Sequence, residues 1–428
     1  MSLQSTHHPR IDLPGCKSAS ARALILASCA SGRSSLSGLS NSEDTRHLAA
    51  ALSTLGAGIH PDLESGFDSS SAVSGEIEIE GMSGPPIGGE LMVDAGEAAT
   101  NLRLLVALAS ISPGGFGVCG SPGLMGRPHS PLLDFLVDMG QSIEVGEHIK
   151  VGPWALPGGD WLCPAGASSQ FHSGLALAAV CRSAGEEVRL HLPPDLPSPG
   201  YFELTIDTIL DFCGERSAAV VGDYVLLRPG PPQPCKWECP ADASAASFFL
   251  VRAILEQRPV SFARPWSPSH PEACFATWLL EQGLLCEESA GQFDVGERSI
   301  DAANVTSSSA TSLEFNVDAC PDVAPALAVL AAHLPSGVVI SGVGRLRFKE
   351  SDRFSGISRL ATRLGAEVGE PTSGSLLIKP TATGSRQQAF VTDGDHRLAM
   401  AAAVAGLEVD DRACVAKSFP GFWQELLK

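Results

Sequence analysis

Positive charge is what this sequence has least of: 29 lysines and arginines stand against 48 aspartates and glutamates, for a formal charge of -19 at pH 7. Nucleic acids and membrane surfaces are polyanions that would repel such a chain, so neither is expected as a partner. Lysine is confined to Lys17, Lys150, Lys236, Lys349, Lys379, Lys417 and Lys428, and tyrosine to Tyr201 and Tyr224. The twelve cysteines contain no Cys-x-x-Cys pair; the nearest neighbours are Cys235 and Cys239, and the rest are scattered through apolar segments. That spacing predicts reduced, buried thiols in a cytosol rather than a disulfide framework or a zinc site. No apolar run reaches the length of a bilayer span, and Met1 to Arg10 lacks the apolar core of a secretion signal, so a cytoplasmic location is expected. His7 and His8 stand alone and are assigned no metal, and no other cluster suggests a metal or an organic cofactor.

What is present is apolar and long. At 428 residues and 44% hydrophobic content, two domains are the default expectation. A composition break at Pro229 to Pro240, with prolines, two cysteines and Trp237, marks the main boundary. From Ser42, an N-cap precedes Glu43 and Asp44, acids placed where the helix dipole favours them. Leu48, Leu52 and Leu55 line one face of that helix and Gly56 stops it. The same grammar, a helix closing on glycine before a strand-like run, returns at Gly140, Gly214, Gly283 and Gly365. With strand-like runs such as Ile77 to Ile79, Val188 to Leu192 and Val338 to Ile340, the chain reads as copies of one αβ unit in a globular, pseudo-symmetric arrangement.

The chemistry-bearing residues gather where loops enter helices. Pro14 and Gly15 run into an alanine- and leucine-rich helix for which Ser18 or Ser20 is the expected N-cap. Free N–H groups at such an end attract anions, and Lys17 and Arg22 add charge. In the stretch Glu97 to Arg103, Thr100 is the expected cap of a helix whose face is Leu102, Leu105, Val106 and Ala109. Arg127, before Pro128, has no acid beside it in sequence and is suited to an external anion. Ser168, Ser169 and Gln170 form a small-residue phosphate cradle, and Ser198 to Tyr201 repeats the idea. In the second half, Asp322 is a helix cap or a positioned base, Lys349 to Arg353 packs five polar residues before an apolar face, Asp395 to Arg397 does likewise, and Lys417 precedes Phe419 and Pro420.

In this order the motifs resemble the 3-phosphoshikimate 1-carboxyvinyltransferase family, from Lys17 to Lys417. The family's Lys-Ser-x-x-x-Arg appears as Lys17, Ser18 and Arg22, its Arg-Pro as Arg127 and Pro128, and its Ser-Ser-Gln as Ser168 to Gln170. Its Ser-x-x-Tyr is Ser198 and Tyr201, its Asp-Ala-Ser is Asp242 to Ser244, and its Pro-Asp is Pro321 and Asp322. Its Lys-Glu-Ser-Asp-Arg is Lys349 to Arg353, and its Asp-His-Arg is Asp395 to Arg397. The resemblance implies an α/β protein, a two-domain inverted α/β prism with three βαβαββ units per domain. It sets the domains at 17–238 and at 1–16 with 239–428, joined by two hinge crossings that close over the substrates.

It further implies transfer of the enolpyruvyl group of phosphoenolpyruvate to the 5-hydroxyl of shikimate 3-phosphate, through a tetrahedral intermediate and without cofactor or metal. Lys17, Asp322 and Glu350 would share the proton transfers. Lys17, Ser18, Arg22, Ser168, Ser169, Gln170, Ser198, Tyr201, Asp322 and Lys349 would hold shikimate 3-phosphate. Lys17, Ala99, Arg127, Gln170, Arg353, Arg397 and Lys417 would hold phosphoenolpyruvate. A monomer is expected.

Four departures from the family pattern stand out. Ala99 stands where glycine is usual, which predicts weaker phosphoenolpyruvate binding and tolerance to the inhibitor glyphosate; Glu97 replaces the usual asparagine, Cys16 an aspartate and Arg345 an asparagine. A UDP-aminosugar enolpyruvyl transferase is the nearest alternative, but Ser18 rather than asparagine follows Lys17, and Cys119 lies in a strand-like run. RNA terminal phosphate cyclization is disfavoured by the acidic balance. A non-catalytic anion-binding relative would not need Lys17, Asp322 and Glu350 together.

Overall fold

A computed structural model of the chain describes residues 10–61, 75–153, 156–163, 166, 168–289, 291–296, 312–381 and 388–428. His7 and His8 lie outside these. The chain forms two units, Gly15–Pro240 and Met1–Pro14 with Ala241–Lys428.

After β1 (Arg10–Ile11), the Gly15–Pro240 unit begins with α1 (Lys17–Cys29), β2 (Arg33–Ser37), α2 (Glu43–Thr54), β3 (Gly58–His60) and β4 (Ile77–Glu80). Next come β5 (Met92–Asp94), α3 (Ala99–Ala109), β6 (Phe116–Cys119), α4 (Pro122–Met125), α5 (Ser130–Asp138), β7 (Ile143–Val145) and β8 (Ile149–Val151). A third set is β9 (Gly159–Trp161), α6 (Gln170–Cys181), β10 (Val188–His191), α7 (Pro199–Cys213), β11 (Ala218–Val221) and β12 (Tyr224–Leu227), followed by β13 (Lys236–Glu238). The other unit continues with α8 (Ala243–Glu256), β14 (Val260–Phe262), α9 (Ala273–Glu281), β15 (Leu285–Ser289) and β16 (Gln292–Val295). It then has β17 (Leu313–Asn316), α10 (Ala324–Ala331), β18 (Val338–Ser341), α11 (Arg353–Arg363), β19 (Ala366–Gly369) and β20 (Ser375–Pro380), and ends with α12 (His396–Val404) and α13 (Phe422–Leu426).

Five four-stranded sheets share one pattern, with orders β13-β2-β4-β3, β5-β6-β8-β7, β9-β10-β12-β11, β1-β14-β16-β15 and β17-β18-β20-β19. In each, the first two strands are parallel and the remaining pairs antiparallel, as in Leu313 beside Val338, Val338 beside Ile378 and Val368 beside Ile378. A parallel pair needs a crossover: α3, α6 and α10 supply it for β5–β6, β9–β10 and β17–β18, while β13–β2 and β1–β14 are joined across much longer stretches of chain. A sixth repeat, among the described residues, consists of α12 and α13 with a single parallel bridge between Phe390 and Val409. This is the α/β repeat architecture the sequence predicts, with the final sheet shortened.

The cores follow from composition. α10 is alanine, valine, leucine and one proline on every face and is buried throughout, while α1 and α6 are each buried over eleven residues. α1, α3 and α6 pack on one another in one unit, and α8, α10 and α12 in the other. Gly174 permits the α3–α6 approach, since a Cβ there would lie 3.0 Å from Ala107 Cβ.

Three local expectations change. The first helix begins at Lys17 with Cys16 as N-cap, its sulfur accepting from Ala19 N–H at 3.4 Å. Gly15 allows that early entry, because a Cβ there would sit 2.1 Å from the Gly38 carbonyl oxygen. Ser20 instead lies buried and accepts from Ser40 N–H at 3.0 Å. Thr100 does not cap α3, which starts at Ala99 after Ala98. The twelve cysteines are free, but only seven are buried, and Cys274 and Cys286 are exposed.

Candidate active site

In the Gly15–Pro240 unit the central helices bring their N-terminal ends together. Lys17, first in α1, places Nζ 2.8 Å from Asp44 Oδ2 on α2. Asn101 on α3 fastens that acid from the far side, its Nδ2 donating to the Asp44 carbonyl at 2.7 Å. At the start of α6, Gln170 donates from Nε2 to Thr100 Oγ1 at 2.7 Å and accepts on Oε1 from Arg103 Nη1 at 2.6 Å. Arg103 also donates to the Pro128 carbonyl and lies over the Phe171 ring at 4.6 Å. Ser168 Oγ accepts from Gln170 N–H, and Ser169 Oγ donates to the Ser198 carbonyl at 3.2 Å. Ser198 holds a left-handed backbone (φ 45°) immediately before α7.

The helices that open here, α3, α6 and α7, have no side-chain cap. Apart from Gln170 N–H, which donates to Ser168 Oγ, Tyr201 N–H, which donates to the Ser198 carbonyl, and Pro199, which has none, their first N–H groups keep the capacity to bind an anion. Arg22, only 1% exposed, is used from within: Nε donates to Thr205 Oγ1 at 2.7 Å, Nη1 to the Ser18 carbonyl, and Nη2 to Ser173 Oγ and the Tyr201 carbonyl. Its four bonds tie α1, α6 and α7 together, and every partner is neutral. Burial therefore lowers the Arg22 pKa, and burial with the Arg127 charge lowers that of Arg103. Arg127 is half-buried with no carboxylate partner among the described residues. Beside it, burial together with the charges of Arg103 and Arg127 outweighs the hydrogen bond to the Leu124 carbonyl and takes His129 down to about 4. Ala99 is the first residue of α3, half-buried, and Glu97 is exposed.

The other unit builds a charged network. Asp322 lies in a short 3-10 turn, Pro321–Val323, entering α10. It is not a cap: Oδ1 accepts from Lys349 Nζ at 3.3 Å and Arg353 Nη1 at 2.9 Å, and Oδ2 meets Arg397 Nη2 at 2.8 Å. Arg353, fully buried, also bonds Glu350 Oε2 at 2.6 Å through Nη2 and Asp395 Oδ2 at 2.9 Å through Nε. Arg397 Nη1 donates to Ser244 Oγ at 2.9 Å, joining the start of α12 to that of α8. Three of this unit's helices, α8, α11 and α12, are capped by the aspartates Asp242, Asp352 and Asp395. Burial opposes ionisation of Glu350 and Asp395, but Arg353 and His396, with Lys349 at Glu350, together outweigh it, holding Glu350 well below the usual carboxylate range and Asp395 lowered. Burial acts against the Arg353 charge as well; Asp395, Glu350 and Asp322 more than reverse it. Lys417 ends a 3-10 turn, Ala413–Lys417. Arg345 pairs with Asp318 Oδ1 at 2.7 Å.

The sequence-predicted residues thus fall into two clusters, one per unit. Sequence reasoning assigned no site role to Asp44, Asn101, Arg103, Ser244 or Asp395. Arg103 carried a usable signal, a cation between Leu102 and Leu104 on a buried helix that demands a polar partner. Asp395 was legible as an acid one position before a helix start. Among the described residues no group of three or more His, Cys, Asp or Glu side chains could hold a metal, and no helix is long and apolar enough to cross a membrane.

Repeated βαβαββ units that gather uncapped helix starts in one unit and an arginine–carboxylate network in the other define an enzyme class for small polyanionic substrates. Residues 4–426 match the family model described as EPSP synthase (3-phosphoshikimate 1-carboxyvinyltransferase), and the chain belongs to that family. It is 32% identical to a 3-phosphoshikimate 1-carboxyvinyltransferase of Mycobacterium ulcerans, covering 98% of this chain and 95% of the relative. It is also 32% identical to one of Methanoculleus marisnigri, covering 96% and 94%. In fold it is similar to an EPSP synthase structure from Acinetobacter baumannii, with a TM-score of 0.71 at 23% identity over 97% of this chain and 94% of that one.

Proposed function

We propose that this chain transfers the enolpyruvyl group of phosphoenolpyruvate to the 5-hydroxyl of shikimate 3-phosphate, releasing phosphate, in the shikimate pathway to aromatic amino acids. The observation that carries the reading is Asp322, a carboxylate gripped by Lys349, Arg353 and Arg397 at 2.8 to 3.3 Å. In this reading Asp322 takes the 5-hydroxyl proton. Lys17, beside Asp44, shares with Glu350 the proton transfers at the methylene carbon. Glu350, held as a carboxylate, serves as a base in elimination, when the methyl group returns a proton and phosphate leaves.

Arg127, Arg353, Arg397 and Lys417, with Gln170 and the backbone at Ala99, take the phosphate and carboxylate of phosphoenolpyruvate and stabilise charge as phosphate departs. Ser168, Ser169, Ser198 and Tyr201 at the uncapped starts of α6 and α7 take the 3-phosphate, while Ser18, Arg22 and Lys349 complete the shikimate site. The Ala99 methyl lowers affinity for phosphoenolpyruvate and for glyphosate. The enzyme acts as a cytoplasmic monomer.

The decisive experiment measures phosphate release from phosphoenolpyruvate by purified protein, with shikimate 3-phosphate in one reaction and a UDP-aminosugar in another. Release with shikimate 3-phosphate alone is expected. Release with neither, from a protein that still binds shikimate 3-phosphate, would leave an anion-binding protein without turnover.

A further inference from the structure

Ten of the twelve cysteines are scattered or shielded, but Cys274 and Cys320 meet with their sulfurs 3.2 Å apart. Cys274 is exposed, the second residue of α9, and Cys320 is buried, immediately before Pro321 and Asp322. The elements that carry them are fastened together: Trp278 Nε1 on α9 donates to the Glu314 carbonyl on β17 at 3.2 Å, and Phe275 packs edge-on to Phe315 at 5.7 Å. The encounter is therefore a property of the fold rather than of two loose side chains. A disulfide requires the sulfurs to close from this separation to about 2.05 Å. Cys29 and Cys181 also interact, but both are buried, where a dissolved oxidant has no access.

We propose that Cys274 and Cys320 are an oxidisable pair that closes to an intramolecular disulfide under hydroperoxide and, through Asp322, slows turnover. The first step belongs to Cys274. Its hydrogen bond with Cys320 lowers its pKa against burial and the charge of Glu272, while that same bond, burial and nearby acids raise Cys320. Cys274 thiolate attacks one peroxide oxygen, an S–O bond forms as O–O breaks, and the departing hydroxide is protonated to water. Cys320 then attacks the sulfenic sulfur, its proton leaves with the hydroxyl as a second water, and S–S forms. Two thiols lose two hydrogens and the peroxide is reduced to water, so the step balances.

The consequence reaches Asp322 through one residue whose φ is fixed. Pro321 joins Cys320 to Asp322, and the Cys320 carbonyl accepts from Val323 N–H at 3.3 Å, so a pull on Cys320 tilts the whole turn. Asp322 must keep its bonds to Lys349, Arg353 and Arg397 to work as the base, so this part rests on the proposed reaction.

The test treats the full chain with hydrogen peroxide, alkylates the remaining thiols, and maps peptides by mass alongside phosphate release. The expected result is a Cys274–Cys320 cross-linked peptide lacking two hydrogens, with the rate down about tenfold, as for a modest misplacement of a reacting group, and restored by dithiothreitol. Cys274→Ser removes both effects. In Cys320→Ser, Cys274 advances to oxygenated forms without cross-linking. Both thiols remaining open to alkylation in peroxide-treated wild type overturns the pair, and a cross-link with an unchanged rate overturns its link to Asp322. An untreated protein that releases no phosphate fails the functional reading instead, and the peptide map still decides the disulfide.

Discussion

The two units hold arginine in opposite ways. In Gly15–Pro240, Arg22 and Arg103 are buried among hydroxyls, carbonyls and an amide, and α3, α6 and α7 open without side-chain caps. In the other unit, Arg353 and Arg397 are buried among carboxylates, and α8, α11 and α12 open on aspartates. The first arrangement carries positive potential left over for a ligand, whereas the second has spent most of it on its own acids. The 3-phosphate of shikimate 3-phosphate therefore suits the first kind of environment, and proton exchange the second, where the carboxylates of Glu350 and Asp395 are held ionised.

The comparison breaks most sharply at Asp322. Asp322→Asn removes the base and should cut phosphate release by about 10²–10⁴-fold, read in steady-state kinetics with both substrates. A variant within a factor of two of wild type would mean that the network is structural.

Stability separates the two arginine environments next. Arg353→Met strands Glu350 and Asp395, takes one of three cations from Asp322, and should cost about 3–5 kcal/mol. Arg22→Met strands only neutral acceptors and should cost about 1–3 kcal/mol. Urea unfolding followed by circular dichroism reads both, and equal costs would erase the distinction.

Acid sharpens the contrast further. Glu350 and Asp395 titrate lower in the folded protein than in the unfolded chain, so their contribution is full above the ordinary carboxylate range near pH 4 and is lost as pH falls toward their folded values. Urea midpoints should drop between pH 6 and pH 3, and less steeply in Glu350→Gln; parallel losses would contradict the account.

The smallest effect is expected at Ala99. Restoring glycine at the uncapped start of α3 should lower the glyphosate inhibition constant by about three- to tenfold, under ~1.4 kcal/mol. An unchanged constant would remove Ala99 from the anion site.

Much of this was legible in the chain. Helix closure at Gly56, Gly140, Gly214, Gly283 and Gly365 exposed the repeat, because an amphipathic helix and its stop are both local signals. Family order singled out Lys17, Asp322, Glu350, Arg353 and Arg397 as candidates. Pairings across the chain were not legible: nothing local tells Asp44 that it will meet Lys17, or Asn101 that it will hold the Asp44 backbone. The cap of α1 was missed because cysteine is a weak acceptor and two serines followed it; a tight approach at Gly15 decided the matter. Arg22 read as a ligand fork, but its fork is largely occupied by helices that only folding brings to it.

The inserted position of Gly15–Pro240 has a consequence for synthesis. β1 pairs with β14, Arg10 beside Ser261, so that pairing cannot form until the whole inserted unit has been made. The inserted unit contains all the strands of its own three sheets and can fold while its neighbour is still nascent. The Cys16 N–H to Pro240 carbonyl bond, at 2.8 Å, fastens its two ends, and only then does the remaining sequence arrive to complete the outer unit around β1.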